Sequence, residues 1–172
     1  MENYQHRVLI LEDVPVDAEL MTAELRRGGL VFESQRVETR EDFLSALNTF
    51  KPDIILSDYN LPQFDGLAAL EIVRERLPNI PFIFVSGVMG DELAVATLKS
   101  GATDYILKDK LIRLAPAVDR AFQEVADRNN LNKRVAELES LISSVVGREL
   151  KMVELKKTIA ELKEQIAALP NQ

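Results

Sequence analysis

Short apolar runs rich in Val and Ile alternate with longer segments of helical period, and a chain so patterned folds around a parallel sheet of strand-helix-strand units. Five strands are expected, at Arg7–Leu11, Phe32–Val37, Ile54–Ser57, Phe82–Val85 and Asp104–Leu107. The first, third and fourth are apolar almost throughout, as central strands covered on both faces must be. Asp13 is expected to cap a first helix that carries Pro15 in its first turn, and Gly28–Gly29 to supply its left-handed stop. Arg40–Phe50 reads as the second helix, closed by Pro52. Gly66 opens a third that runs to about Arg76, Asp91 caps a fourth that Gly101 ends, and a fifth begins near Pro116. The fold class is therefore α/β, a doubly wound five-stranded parallel sheet. Such sheets bind ligands outside the carboxyl ends of their strands, where strand order reverses.

Beyond about Leu131 the pattern changes. Leu131, Val135, Leu138, Ile142 and Val145 are spaced four and three apart, a heptad seam. Met152, Leu155, Ile159, Leu162, Ile166 and Leu169 form a second seam. Seven residues separate Val145 from Met152, so the seams are out of phase by a three-residue insertion at Gly147, which overwinds a coiled coil or marks a hinge. No proline falls between Pro116 and Leu169, so one helix of about 80 Å is possible at 1.5 Å per residue. The division expected is residues 1–128 as the globular domain and 129–172 as a coiled-coil continuation of its last helix.

Composition removes whole classes of chemistry. The 172 residues include no Cys and one His, His6, which excludes thiolate catalysis, thiol redox and His-rich metal sites. His6 itself reads as a surface residue before the first strand. The formal charge is −7, and residues 1–130 hold 14 basic against 22 acidic side chains. That balance argues against nucleic acid and against an acidic membrane surface as partners. No apolar run reaches membrane-spanning length, so a cytoplasmic location is expected.

What remains is carboxylate, hydroxyl and amine chemistry, and the strand ends hold all three: Glu12 and Asp13, Asp58, Ser86 and Lys108. Singly, each has an ordinary explanation: a capping pair, a turn initiator, a loop serine, a solvated lysine. Jointly, they converge on one edge of the sheet. Converging carboxylates repel unless a hard divalent cation with oxygen ligands sits among them, and Mg²⁺ is the natural choice. A carboxylate on a metal, flanked by a hydroxyl and a lysine, suits in-line phosphoryl transfer onto an aspartate, with Asp58 as the candidate nucleophile.

The segments Val8-Leu9-Ile10-Leu11-Glu12-Asp13, Ser57-Asp58-Tyr59-Asn60-Leu61-Pro62 with Asp65-Gly66, Val85-Ser86-Gly87 and Asp104-Tyr105-Ile106-Leu107-Lys108 resemble the receiver domain of two-component response regulators. The likeness covers about Arg7 to Val125. It implies a flavodoxin-like strand order 2-1-3-4-5, and phosphorylation of Asp58 by the phosphohistidine of a histidine kinase or a histidine phosphotransfer protein. It also implies Mg²⁺ held by Asp13, Asp58 and the Asn60 carbonyl, with Glu12 acting through water. Ser86 and Lys108 would contact the phosphoryl group. Tyr105 would be the switch aromatic, its alternative being a plain edge-strand aromatic.

Two residues depart from the pattern: Glu12 replaces the more usual Asp, and Asp109 follows Lys108 where proline is common, so no cis bond is expected there. Asn60 and Val88 occupy positions that flank the phosphoryl group. Met21, Met89 and Met152 read as packing residues. The expected role is a phosphoacceptor that is not an enzyme beyond self-phosphorylation and autodephosphorylation, and that signals through a parallel homodimer or partner contacts of its tail. Competing readings are a phosphorylation-independent structural adaptor, a Mg²⁺-dependent phosphohydrolase and a phosphate shuttle. For the tail, they are antiparallel folding back or pairing with another protein's helix.

Overall fold

The structure is a computed structural model and describes residues 5–87 and 91–167; the expectations for Val88, Met89 and Leu169 lie outside them. The chain divides into two compact units, residues 1–126 and 127–172.

In the first unit, β1 (His6–Leu11), β2 (Phe32–Val37), β3 (Ile54–Ser57), β4 (Phe82–Ser86) and β5 (Asp104–Leu107) form one parallel sheet in the order β2-β1-β3-β4-β5. The helices are α1 (Pro15–Arg27), α2 (Arg40–Thr49), α3 (Gly66–Arg76), α4 (Asp91–Lys99) and α5 (Leu114–Ala167). Every residue of β3 and β4 is buried, as their unbroken apolar character requires. Alternate strand residues serve two cores. Val8, Ile10, Leu56 and Val85 pack with Met21 and Leu25 of α1 and Val118 of α5. Leu9, Leu11, Ile55 and Phe84 pack with Phe43 of α2 and Leu70 of α3.

Two local expectations are corrected. The residue preceding α1 is Val14, which caps without a side-chain bond; Asp13 does not cap the helix. Pro15 has no N–H to offer, and the Asp13 carboxyl lies instead in the acidic cluster described below. Of the two glycines after α1, Gly29 alone is left-handed, at φ +86°, while Gly28 is right-handed at −73°. Gly28 is there for space, since a Cβ would lie 2.3 Å from the Ala115 Cβ. Gly28→Ala should therefore lower stability by about 1–3 kcal/mol in urea denaturation, with no change in the denaturant slope. The fifth helix does begin near Pro116: α5 starts at Leu114, after a 3-10 turn at Lys108–Arg113. No cis peptide bond occurs among the described residues.

His6 is half-buried and stacks on Phe122 at a centroid distance of 4.0 Å, so it is part of the packing between β1 and α5 rather than a surface residue.

In the second unit α5 runs on to Ala167, and Leu131, Val135, Leu138, Ile142 and Val145 are all exposed. No helix among the described residues is long and apolar enough to cross a membrane.

Candidate functional site

The register of the sheet assembles the site. Leu11 of β1 pairs with Ser57 of β3, and the Asp58 N–H donates to the Leu11 carbonyl at 2.8 Å. On the other flank of β1, the Glu12 N–H donates to the Val37 carbonyl at 3.0 Å. Glu12 and Asp13 thus leave the sheet beside Asp58, at the point where strand order reverses. One carboxylate oxygen from each of Glu12, Asp13 and Asp58 lies within 4.8 Å of the others. Glu12 is fully buried, Asp58 nearly so and Asp13 half-buried.

Lys108, first residue after β5, reaches across to this cluster, its stem passing Gly87, where a Cβ would be 4.0 Å from the Lys108 Cδ. Its Nζ lies 2.7 Å from Asp58 Oδ2, 2.8 Å from Glu12 Oε2 and 2.6 Å from Asp17 Oδ2. Burial alone would lower the Lys108 pKa. The hydrogen bonds to Asp17 and Asp58 and the contact with Glu12 outweigh it, so the ammonium is held above the ordinary lysine range. Burial likewise pushes the Glu12 carboxyl up, against the lowering pull of Lys108 and of the Val14 N–H that donates to Glu12 Oε1 at 3.1 Å.

Asp58 is held through both its carboxylate and its backbone carbonyl. The Asn60 N–H donates to Asp58 Oδ1 at 3.2 Å, and the Ser57 hydroxyl donates to the Asp58 carbonyl at 2.7 Å. Gly66 lets α3 start against that carbonyl, since a Cβ there would come within 2.5 Å of its oxygen.

Ser86 is fully buried at the last position of β4, level with Leu107. Tyr105 is buried in the core that faces α2 and α3, so its ring is turned inward rather than out from an edge strand. Asn60 is exposed, though its N–H is bonded to Asp58 of the acidic cluster. Of the residues singled out in the sequence, Glu12, Asp13, Asp58 and Lys108 come together directly; Ser86 ends β4, and Tyr105 lies on the neighbouring β5 two residues short of its carboxyl end.

Two residues were missed. Asp17, four residues after Asp13, lies in the first turn of α1, and it supplies the shortest contact to Lys108. Arg36, next to last in β2, donates through Nη1 to the Glu12 carbonyl at 2.8 Å and to the Asp13 carbonyl at 3.4 Å, and pairs with Glu38 at 2.8 Å. It pins the backbone that carries both acids. Arg36→Ala should weaken divalent-cation binding about tenfold while leaving the fold intact, read from amide shifts in an NMR titration with Mg²⁺.

The donors are all hard oxygens around a small volume, which fits a divalent cation such as Mg²⁺ and not a soft or nitrogen-preferring metal. Residues 8–119 match the family profile of the response regulator receiver domain. The chain belongs to this family. Among curated relatives, the receiver is 32% identical over 139 residues to the DNA-binding transcriptional regulator NtrC of Proteus hauseri, covering 78% of this chain and 28% of that protein. It is 29% identical over 159 residues to the nitrogen assimilation regulatory protein NtrX of Azorhizobium caulinodans, covering 90% and 34%. The chain thus spans about a third of the length of these relatives. Among solved structures, NtrX from Brucella abortus superposes with a TM-score of 0.68 at 26% identity, over 76% of this chain and 29% of that one. The receiver domain of Francisella response regulator 1452 gives 0.62 at 26%, over 70% and 98%.

Proposed function

We propose that this receiver takes a phosphoryl group onto Asp58 from the phosphohistidine of a histidine kinase or histidine phosphotransfer protein. An Asp58 carboxylate oxygen forms the new bond to phosphorus as the donor's P–N bond breaks, and the electron pair of that bond stays on the imidazole nitrogen. The observation that carries this reading is the Lys108 ammonium 2.7 Å from Asp58 Oδ2, a fixed positive charge where phosphoryl oxygens gather. Asp13 and Asp58, with the Asn60 carbonyl, would hold Mg²⁺, and Glu12 would act on it through water. When bound, that ion supplies the further positive charge that lets an anionic donor approach three carboxylates. Ser86 donates its hydroxyl to a phosphoryl oxygen, and Tyr105 is the aromatic whose position follows the state of the site.

On this reading the chain turns over no separate substrate and works in the cytoplasm beside its kinase. Its output passes through the helix of residues 129–172, which pairs with a second copy, and through protein contacts rather than DNA. The acidic balance of residues 1–130 supports that last point, whereas what the relatives bind through the rest of their length is their own. The test is intact mass after incubation with acetyl phosphate and Mg²⁺. One added phosphoryl group on the wild type and none on Asp58→Ala supports the reading; equal labelling of both, or none on a folded wild type, overturns it in favour of the structural adaptor.

A further inference from the structure

The heptad positions of the tail carry information beyond an apolar stripe. Spacings of four then three place Leu131, Leu138 and Val145 at d and Val135 and Ile142 at a. The second seam places Met152 and Ile159 at a and Leu155 at d. Val135, Ile142 and Ile159 thus put β-branched residues at a, and Leu131, Leu138 and Leu155 put Leu at d, with Val145 at d and Met152 at a the exceptions; in a parallel assembly this arrangement favours two strands. All five side chains of the first seam are between 53% and 63% exposed, so nothing among the described residues covers them.

The flanking residues choose the occupant. Arg134 is at g and Glu139 at the following e, the two positions that meet across a parallel, in-register pair. Two-fold symmetry makes this contact twice, each time between opposite charges. An antiparallel pair sets g against g and e against e, which separates these two. Leu141 at g and Val146 at e meet in the same way and extend the apolar seam. Past Gly147 the match lapses, because Lys151 at g would face Lys156 at e.

We propose that residues 131–159 pair with the same residues of a second copy as a parallel, in-register two-stranded coiled coil. Its register is set by Leu131–Val146, and its phase shifts by three residues at Gly147. A Cβ on Gly147 would meet nothing within 4 Å among the described residues, so no close approach by them calls for a glycine there. Glycine is a poor helix former, and it stands where the coiled coil must overwind. The proposal deepens the reading of the tail as a self-pairing element and does not depend on phosphoryl chemistry.

The test uses the full chain without phosphodonor, and the lack of native cysteine makes it clean. Sedimentation should show a dimer. Leu131→Cys and Val145→Cys, made separately, lie about 21 Å apart along the helix. Each should cross-link to its own copy on oxidation, which an antiparallel pair centred between them forbids. Arg134→Glu or Glu139→Arg alone should weaken the dimer about tenfold, and the two together should restore it. Deleting residues 147–149 brings both seams into one phase and should tighten the dimer. A monomer throughout would overturn the self-pairing of the tail itself. A dimer that neither single cysteine cross-links, or that ignores the charge exchange, would overturn this geometry while leaving self-association standing.

Discussion

Lys108→Met is expected to slow phosphoryl uptake at least about a hundredfold, the usual scale for loss of one preorganised charge in a water-poor site. The same change should lower stability by about 3 kcal/mol in the absence of divalent cations. It leaves the buried Glu12 and the nearly buried Asp58 without the ammonium that meets them at 2.8 and 2.7 Å, and breaking such a pair from one side is costly. Asp17 is more exposed, so water replaces much of its partner and the lower end of the usual range applies. Methionine keeps most of the lysine stem, so the loss reports charge rather than packing. With the competing ammonium gone, the carboxylates should also bind Mg²⁺ more tightly, and added Mg²⁺ should recover part of the stability. Urea denaturation with and without Mg²⁺, beside uptake rates from acetyl phosphate, checks all three. Uptake at the wild-type rate would remove Lys108 from the chemistry.

Removing divalent cations from the wild type should have an effect of similar or greater size. Glu12, Asp13 and Asp58 bring one oxygen each within 4.8 Å, and a phosphoryl donor that approaches Asp58 adds further negative charge. Each unit charge pair at about 4 Å costs roughly 4 kcal/mol at an effective dielectric of about 20, and Lys108 offsets only one of them. Even a fraction of the remainder slows transfer by two to three orders of magnitude, at about 1.4 kcal/mol per tenfold. Chelation followed by a Mg²⁺ titration, with uptake read by intact mass, should show activity lost and restored. Uptake that is unaffected by exhaustive chelation would mean that the acidic cluster acts without a metal.

How much of this was legible in the sequence follows from the range of the forces involved. The sheet was legible because β1, β3 and β4 are buried on both faces, and that burial leaves an unmistakable run of apolar residues. Glu12, Asp13, Asp58 and Lys108 were legible because a parallel sheet sends its carboxyl ends to one edge, so position along the chain already implies position in space. Asp17 and Arg36 were not, since each acts by reaching from one element to the site of another, and the length and direction of that reach emerge only when α1 and β2 are packed. The misread Asp13 cap has the same origin: local chemistry made it a good cap, and the Asp13 carboxyl lies instead in the cluster with Glu12 and Asp58. Gly28 looked like half of a helix stop because its actual neighbour, Ala115, is remote in sequence.

The central claim is that Asp58 is the phosphoryl acceptor, and its most direct test is chemical trapping of the adduct. Wild-type protein incubated with acetyl phosphate and Mg²⁺, reduced with borohydride and mapped by peptide mass, should carry the reduced acyl phosphate, a homoserine side chain, at position 58 and nowhere else. Reduction at another carboxylate, Asp13 or Asp17 included, or no reduction in a protein shown to be folded and loaded with Mg²⁺, would contradict it.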